Sequence, residues 1–224
     1  PPTWNTVNTR MRIGADIALT TGQFWTGNIA EVIVYDADIT GAEQQKIDSY
    51  LALKYGISMS VDYVASDDTY IWSNDSDGYD TDIFGIGRDD DSNLNQKVSK
   101  SINPGSILTI ALDNDFTSSN TDAARTTSHI NDLQFLAFAN NGGATSVQYN
   151  EIDGTSFNTR IAREWKVDKT ANFSHTINLR FEGFDDTWTL LKDADGDFSA
   201  GVTSLGTLDT NGEITGVTLT DGDF

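Results

Sequence analysis

The sequence has no cysteine, three prolines and two histidines among its 224 residues. Without cysteine there is no disulfide, no thiolate nucleophile and no thiolate zinc site. Neither His129 nor His175 has a second histidine at metal-ligand spacing. Cations are scarce as well: 14 Lys and Arg stand against 34 Asp and Glu, a formal net charge of −20. Such a surface repels phosphate backbones and anionic headgroups, which argues against nucleic acid as a partner and against docking on acidic lipid. No run approaches the roughly 18 apolar residues of a membrane helix, so no membrane insertion is expected. No charged-then-apolar signal segment opens the sequence, although a precursor can carry one that is removed.

What the sequence has in quantity is aspartate, 28 residues against 6 glutamates. Glutamate favours helices, whereas aspartate favours turns, caps and loops. Aspartate is also a short, hard oxygen ligand suited to Ca²⁺. A merely solvated, salt-tolerant surface is the plainer alternative.

The pattern divides near residue 58, into residues 1–57 and 58–224. In the first part, Thr40-Gly-Ala-Glu43 reads as a capping box. Ile47, Tyr50, Leu51 and Lys54 follow at helical spacing, and Gly56 offers a left-handed stop, so one helix is expected near residues 41–55. Ile29 to Tyr35 reads as a strand buried on both faces, with Arg10 to Ala18 an earlier one. Beyond Val61, short apolar runs alternate with Asp/Gly/Asn/Ser turns. Thr69–Trp72, Ile83–Ile86, Gln96–Ser101, Ile107–Leu112, Leu133–Ala139 and Ser146–Tyr149 are candidate strands. Ile161–Val167, Thr176–Phe181, Trp188–Leu191 and Gly212–Leu219 complete the set. This spacing, with no long helix between runs, predicts an all-β, antiparallel, jelly-roll-like β-sandwich.

Three pieces of the first part carry a resemblance: Ile13-Gly-Ala-Asp16, Phe24-Trp-Thr-Gly-Asn-Ile-Ala-Glu-Val-Ile-Val-Tyr35 and the segment from Ala42 to Gly56. Together they resemble the C-terminal part of concanavalin A-like, laminin-G-type jelly rolls of bacterial surface proteins. The resemblance covers only about the last fifty residues of such a unit. It implies an incomplete jelly roll, and hence a piece of a longer polypeptide. The rest is similar to a β-rich module of very large bacterial adhesins. Ile83-Phe-Gly-Ile-Gly-Arg-Asp-Asp90, Leu94 to Ser101, Leu108 to Asp115, Arg163-Glu-Trp-Lys-Val167 and Leu190 to Asp197 carry that likeness. It implies a secreted or cell-surface location, with other domains of the same large protein as partners.

Candidate ion sites follow the aspartates. Asp193, Asp195 and Asp197 alternate in a tight Gly-containing loop, which makes carboxylates converge as in the first half of an EF-hand. Phe198 stands where that loop needs glycine and Ser204 where it needs a bidentate glutamate, so a β-hairpin calcium loop is the better reading. Asp89, Asp90 and Asp91 form a second cluster, in which Arg88 can pair internally. Asp75 and Asp77 form a third, with plain turn chemistry as its alternative. Asp113 and Asp115 are a weaker pair. Trp165 and Trp188 read as core, while Trp25 and Tyr79 lie near turns where an aromatic ring can stack on a sugar.

Enzyme signatures are missing. There is no Gly-x-Ser-x-Gly elbow, no alternating Glu/Asp glycanase strand, no Walker loop and no dinucleotide fingerprint. The expectation is a non-enzymatic segment of a large extracellular bacterial surface or adhesion protein, stabilised by calcium. The alternative is a calcium-dependent module that binds a glycan or peptide. A weaker alternative is a subunit of a surface filament.

Overall fold

The computed structural model describes residues 13–15, 22, 24–75, 77–121, 123–126, 129–148, 152, 157 and 159–224. Within them the fold is all-β with one helix, and every strand pairing is antiparallel. In chain order, helix α1 is Gly41–Tyr55, followed by β1 (Tyr63–Val64), β2 (Tyr70–Trp72), β3 (Thr81–Asp89), β4 (Leu94–Gln96) and β5 (Val98–Lys100). Next come β6 (Leu108–Ala111), β7 (Gln134–Asn140), β8 (Val147–Gln148), β9 (Arg160–Ile161) and β10 (Trp165–Lys169). The last four are β11 (Ile177–Phe181), β12 (Thr189–Lys192), β13 (Thr203–Thr207) and β14 (Glu213–Val217).

Two four-stranded sheets, β10-β7-β3-β4 and β14-β11-β6-β5, make the sandwich. Phe84, Ile86, Leu136, Phe138 and Val167 of the first share one core with Leu108, Ile110, Leu179, Phe181 and Ile214 of the second. The chain crosses between sheets at Lys97, between β4 and β5. There the Asn120 side chain accepts from the N–H groups of Lys97 (2.6 Å) and Val98 (2.8 Å) and donates to Gln96 and Val98.

The first sheet is covered on its other face too. Ile83, Phe135, Ala137 and Ala139 pack with Ala52 and Leu53 of α1 and with Tyr63, Ile71 and Trp72 of β1 and β2. All seven residues of β7 are therefore buried. Glycines in β3 make the second layer fit. A Cβ on Gly85 would lie 2.7 Å from the Leu136 carbonyl oxygen and 3.0 Å from Leu53, and one on Gly87 would lie 2.1 Å from the Phe135 ring.

The capping box forms, with the Glu43 N–H donating to the Thr40 hydroxyl and the Thr40 N–H to Glu43. The buried helix face is Ser49, Ala52 and Leu53, one step around from the Ile47/Tyr50/Leu51 stripe. Small Ser49 and Ala52 let the backbone come close. The Ser49 hydroxyl also donates to the Gln45 carbonyl and accepts from the Val64 N–H. The compact units divide between Gln44 and Gln45, so most of α1 goes with the C-terminal unit, whereas the sequence pattern suggested a division near 58.

In the N-terminal unit, Ala15 and Phe24 form an isolated antiparallel bridge. The rest of the expected Arg10–Ala18 strand lies outside the described residues, except Ile13 and Gly14. The stretch from Ile29 to Tyr35, expected as a buried strand, is not one: it has no strand pairing among the described residues of its unit, and Val32 is 49% exposed and Val34 58%. Most other expected strands are present. The structure adds β1, β4 and β13, and Tyr149 of the expected Ser146–Tyr149 run lies outside the described residues.

The β3 glycines yield a prediction. Gly87→Ala should destabilise the fold by about 1–3 kcal/mol, as overpacking does, measured by urea unfolding. Gly41→Ala, with nothing within 4 Å of its Cβ, should stay within about 0.5 kcal/mol of wild type. Equal effects at the two sites would mean that the Phe135 ring of the neighbouring strand β7 does not lie over Gly87 as described.

Candidate metal centre

The β12–β13 hairpin carries the acidic loop. Among the described residues, Asp193, Asp195 and Asp197 are the one group of three or more metal-ligating side chains that converges, with one carboxylate oxygen from each within 4.8 Å of the other two. Two Ca–O bonds of about 2.4 Å span about 4.8 Å, so the spacing fits one Ca²⁺. Three carboxylates supply part of the six to eight oxygens such an ion takes, and loop carbonyls and water would complete the shell.

The local fold sets this geometry. Asp193 is buried, and its carboxylate accepts from the N–H groups of Ala194 (2.8 Å) and Phe198 (2.7 Å). The Asp197 N–H donates to Asp195 (3.2 Å) and the Ser199 N–H to Asp197 (2.7 Å). Phe198 sits at φ +53°, the left-handed region where an EF-hand would have glycine. The loop is also tied to the last residue of the sequence, since Asp193 and Phe224 exchange two backbone hydrogen bonds of 3.0 and 2.9 Å. Gly196 lies against that residue's ring, which a Cβ there would approach to 2.9 Å.

Electrostatics oppose this arrangement in the absence of a cation. The Asp197 N–H pulls the Asp195 carboxyl down, but desolvation and the neighbouring charges of Asp197 and Asp193 outweigh it and hold that carboxyl above its ordinary value of 3.8. The Ser199 N–H and hydroxyl hold Asp197 below it. Lys192, next to the loop, is paired with Asp223 at 3.0 Å.

The other expected ion ligands are not brought into such a group. Asp89 is buried and accepts from the Ser66 N–H, the Ser66 hydroxyl (2.7 Å) and the Ser92 N–H. Asp90 receives the Arg88 guanidinium on both oxygens, at 2.6 and 2.9 Å, which is the internal pairing the sequence raised. Asp91 is exposed beside them. Asp75 and Asp77 face the Lys166 ammonium at 3.4 and 2.5 Å. Partial burial would raise the Asp77 carboxyl, but the Lys166 ammonium and the Tyr79 N–H outweigh it and hold it low. A lysine thus stands where the sequence reading placed Ca²⁺. Asp113 pairs with Arg125 (2.5 Å), and Asp115 caps the turn at Thr117 and Ser118.

Sequence reasoning missed a cavity of about 350 Å³ beside the acidic loop. Trp165, Phe184, Trp188, Phe198 and Phe224 are in its wall, with Arg160 among the polar residues beside them. Phe184 stands edge-on to Trp188, and Arg160 lies 5.4 Å over the Phe198 ring while pairing with Glu164. The two tryptophans read as core do pack against it, half-buried, and so also line this opening. Tyr79 is engaged internally, its hydroxyl on Glu164 and its ring edge-on to Phe224. Trp25 is exposed. His175 bonds Gln134 and packs on Phe173, which is a structural role.

Comparison with known proteins gives one match: residues 43–223 fit the family described as a domain of unknown function, DUF8202. No curated protein and no solved structure matches the chain.

A test separates Asp89 from the triad. Asp89→Ala leaves three donors without their acceptor and should cost about 2–4 kcal/mol, equally in EGTA and in CaCl₂. A cost that appears only with calcium present would make Asp89 an ion ligand instead.

Proposed function

The chain belongs to the DUF8202 family, and for this member we propose a non-enzymatic structural segment of a large extracellular bacterial surface or adhesion protein, rigidified by Ca²⁺. The observation that carries the reading is the convergence of Asp193, Asp195 and Asp197 to within 4.8 Å on a loop bonded to Phe224. One divalent ion there neutralises the mutual repulsion and fixes the hairpin to the segment beside β10. That segment is already held by Val167, whose N–H and carbonyl bond Asp223 and Gly222. The ion would therefore join β10, the β12–β13 hairpin and the last residues into one stiff end. Rigid modules of this kind would hold a binding head away from the cell. The all-β fold and the likeness to adhesin modules support an extracellular location.

The aromatic cavity supports a second reading, a calcium-dependent glycan- or peptide-binding module. Its volume of about 350 Å³ falls in the lower range of ligand pockets, and Phe198 belongs both to its wall and to the acidic loop. A glycan array run with and without chelator distinguishes the two. Retention of a sugar only with calcium would favour binding, and no retention at any calcium level would favour the structural role.

The first experiment is the melting temperature in EGTA and in about 10 mM CaCl₂. Extracellular sites bind at roughly 0.1–1 mM, so the added ion should contribute about 1.4–2.7 kcal/mol, a rise of roughly 3–10 °C. Asp195→Asn with Asp197→Asn should abolish the rise. A shift under about 1 °C in wild type would sink the calcium reading.

The pH dependence has a fixed sign. A carboxyl raised in the folded state withdraws stability as pH climbs through its folded titration, and a bound cation removes that loss. Asp195 is raised above 3.8, so the calcium-induced rise should be smallest near about pH 4 and grow as pH increases. A rise constant across that range would count against Asp195 as a ligand.

A further inference from the structure

The chain has four Asp-Gly pairs, of which Asp77–Gly78, Asp195–Gly196 and Asp221–Gly222 lie among the described residues. An aspartate followed by glycine can react with its own backbone. The glycine nitrogen attacks the carboxyl carbon, and no Cβ hinders its approach. The attack needs a neutral carboxyl as electrophile and a glycine N–H not held by another acceptor. All three aspartates are exposed, so exposure does not distinguish them. Their hydrogen bonds do.

At Asp221–Gly222 both partners are engaged. The Gly222 N–H donates to the Val167 carbonyl (2.8 Å), and the Asp221 carboxylate accepts from the Lys169 N–H (2.8 Å). At Asp77–Gly78 the carboxylate is engaged. It accepts from the Tyr79 N–H, and against the effect of partial burial the Lys166 ammonium keeps it ionised. At Asp195–Gly196 neither restraint is present. The Gly196 N–H has no acceptor among the described residues. The Asp195 carboxyl accepts only the Asp197 N–H, at 3.2 Å, and nearby Lys192 is paired with Asp223. That N–H favours ionisation, but desolvation and the charges of Asp197 and Asp193 outweigh it and favour the neutral form. The loop also keeps its glycine for structural reasons. Gly196 sits at φ +77°, and the Phe224 ring lies where a Cβ would be. The reactive pair is thus built into the loop.

From this bonding pattern we infer that Asp195–Gly196 is a site of spontaneous covalent modification, at which aspartate 195 is converted to isoaspartate. In the first step the Gly196 nitrogen bonds to Asp195 Cγ and loses its proton, and the carboxyl hydroxyl leaves with a proton as water. The product is a five-membered succinimide. Water then adds to one of its two carbonyl carbons. Opening at Cγ restores aspartate. Opening at the main-chain carbonyl breaks that carbon's bond to the Gly196 nitrogen, and the chain then runs through Cβ and Cγ. One water leaves and one returns, so no oxidant, reductant or ligand takes part. The product has an extra backbone atom and a carboxylate set directly on Cα, which ends the convergence with Asp193 and Asp197. The site itself does not rest on the calcium reading, whereas its protection does: Ca²⁺ on the triad would hold Asp195 ionised and unreactive. Only the ion-free loop would then age, and loss of the ion would become permanent.

The test is peptide mapping of the whole chain after prolonged incubation in EGTA at mildly acidic pH, with isoaspartate located by electron-transfer fragmentation. Conversion at Asp195 should be at least about tenfold faster than at Asp77 or Asp221, the equivalent of one hydrogen bond that must first be broken. Asp195→Glu, whose longer side chain would have to close a six-membered imide, should remove the signal at that position. Asp195→Asn should react faster, with release of ammonia. The ranking of the three positions is read in wild type, so it decides even if a substituted chain misfolds. Conversion at Asp77 or Asp221 as fast as at Asp195, or no isoaspartate at 195, would overturn the inference. Slower conversion at Asp195 alone in CaCl₂ would support both the site and its protection by the ion. The same ranking at equal rates in EGTA and CaCl₂ would support the site and count against the calcium reading.

Discussion

The fold depends on burying one sheet on both faces. β7 is buried along its whole length, and β3 carries Phe84 and Ile86 to one side and Ile83 to the other. A sheet with two apolar faces needs two covers. The second sheet supplies one, and α1 with the β1–β2 hairpin supplies the other. Gly85 and Gly87 follow from this demand: the strand facing the helix gives up side-chain volume so that Leu53 and Phe135 can fill it. The crossover at Lys97 follows as well, because one continuous run must serve β4 and then β5, and Asn120 holds the switch where neither ladder continues.

Ionic interactions are distributed unevenly over this frame. Cations are few, and most of the described ones act as internal fasteners: Lys166 for the Asp75/Asp77 turn, Arg125 for Asp113, Arg160 for Glu164 and Lys192 for Asp223. Lys100 similarly pairs with Glu182 across the second sheet. Most exposed pairs of this kind contribute little each. Their larger effect is to fix loops whose aspartates would otherwise repel one another. Loops fastened this way have their countercharge built in.

Much of the fold was legible because its signals are local. The Thr40/Glu43 box, the Gly56 stop at φ +63° and the alternating strands are written in adjacent residues. The helix face was misread by one step because Ser49 and Ala52 are buried for their small size, which a hydrophobic stripe does not register. β13, Thr-Ser-Leu-Gly-Thr, has almost no apolar signature and exists through its pairing with β12. The Asp193/Asp195/Asp197 convergence was legible from alternate spacing around a glycine. The engagement of Asp75 and Asp77 was not, because Lys166 comes from some 90 residues away. The aromatic cavity was invisible for the same reason: its wall is assembled by topology.

The difference between the acidic loops is then one of countercharge. At Asp77 an ammonium arrives from β10 and holds the carboxyl below its ordinary range. At Asp195 the neighbouring charges are carboxylates, and the carboxyl is held above it. The two sites have similar sequences, Asp-Ser-Asp-Gly and Asp-Ala-Asp-Gly, and opposite electrostatics. A lysine delivers one charge through a flexible stem and closes its site, whereas a divalent ion delivers two and leaves when the ion concentration falls. A loop that keeps three converging carboxylates without a lysine is therefore suited to exchangeable stiffening. Its backbone bonds to Phe224, next to the Gly222 and Asp223 that pair with Val167 of β10, are the route by which such stiffening would reach the first sheet.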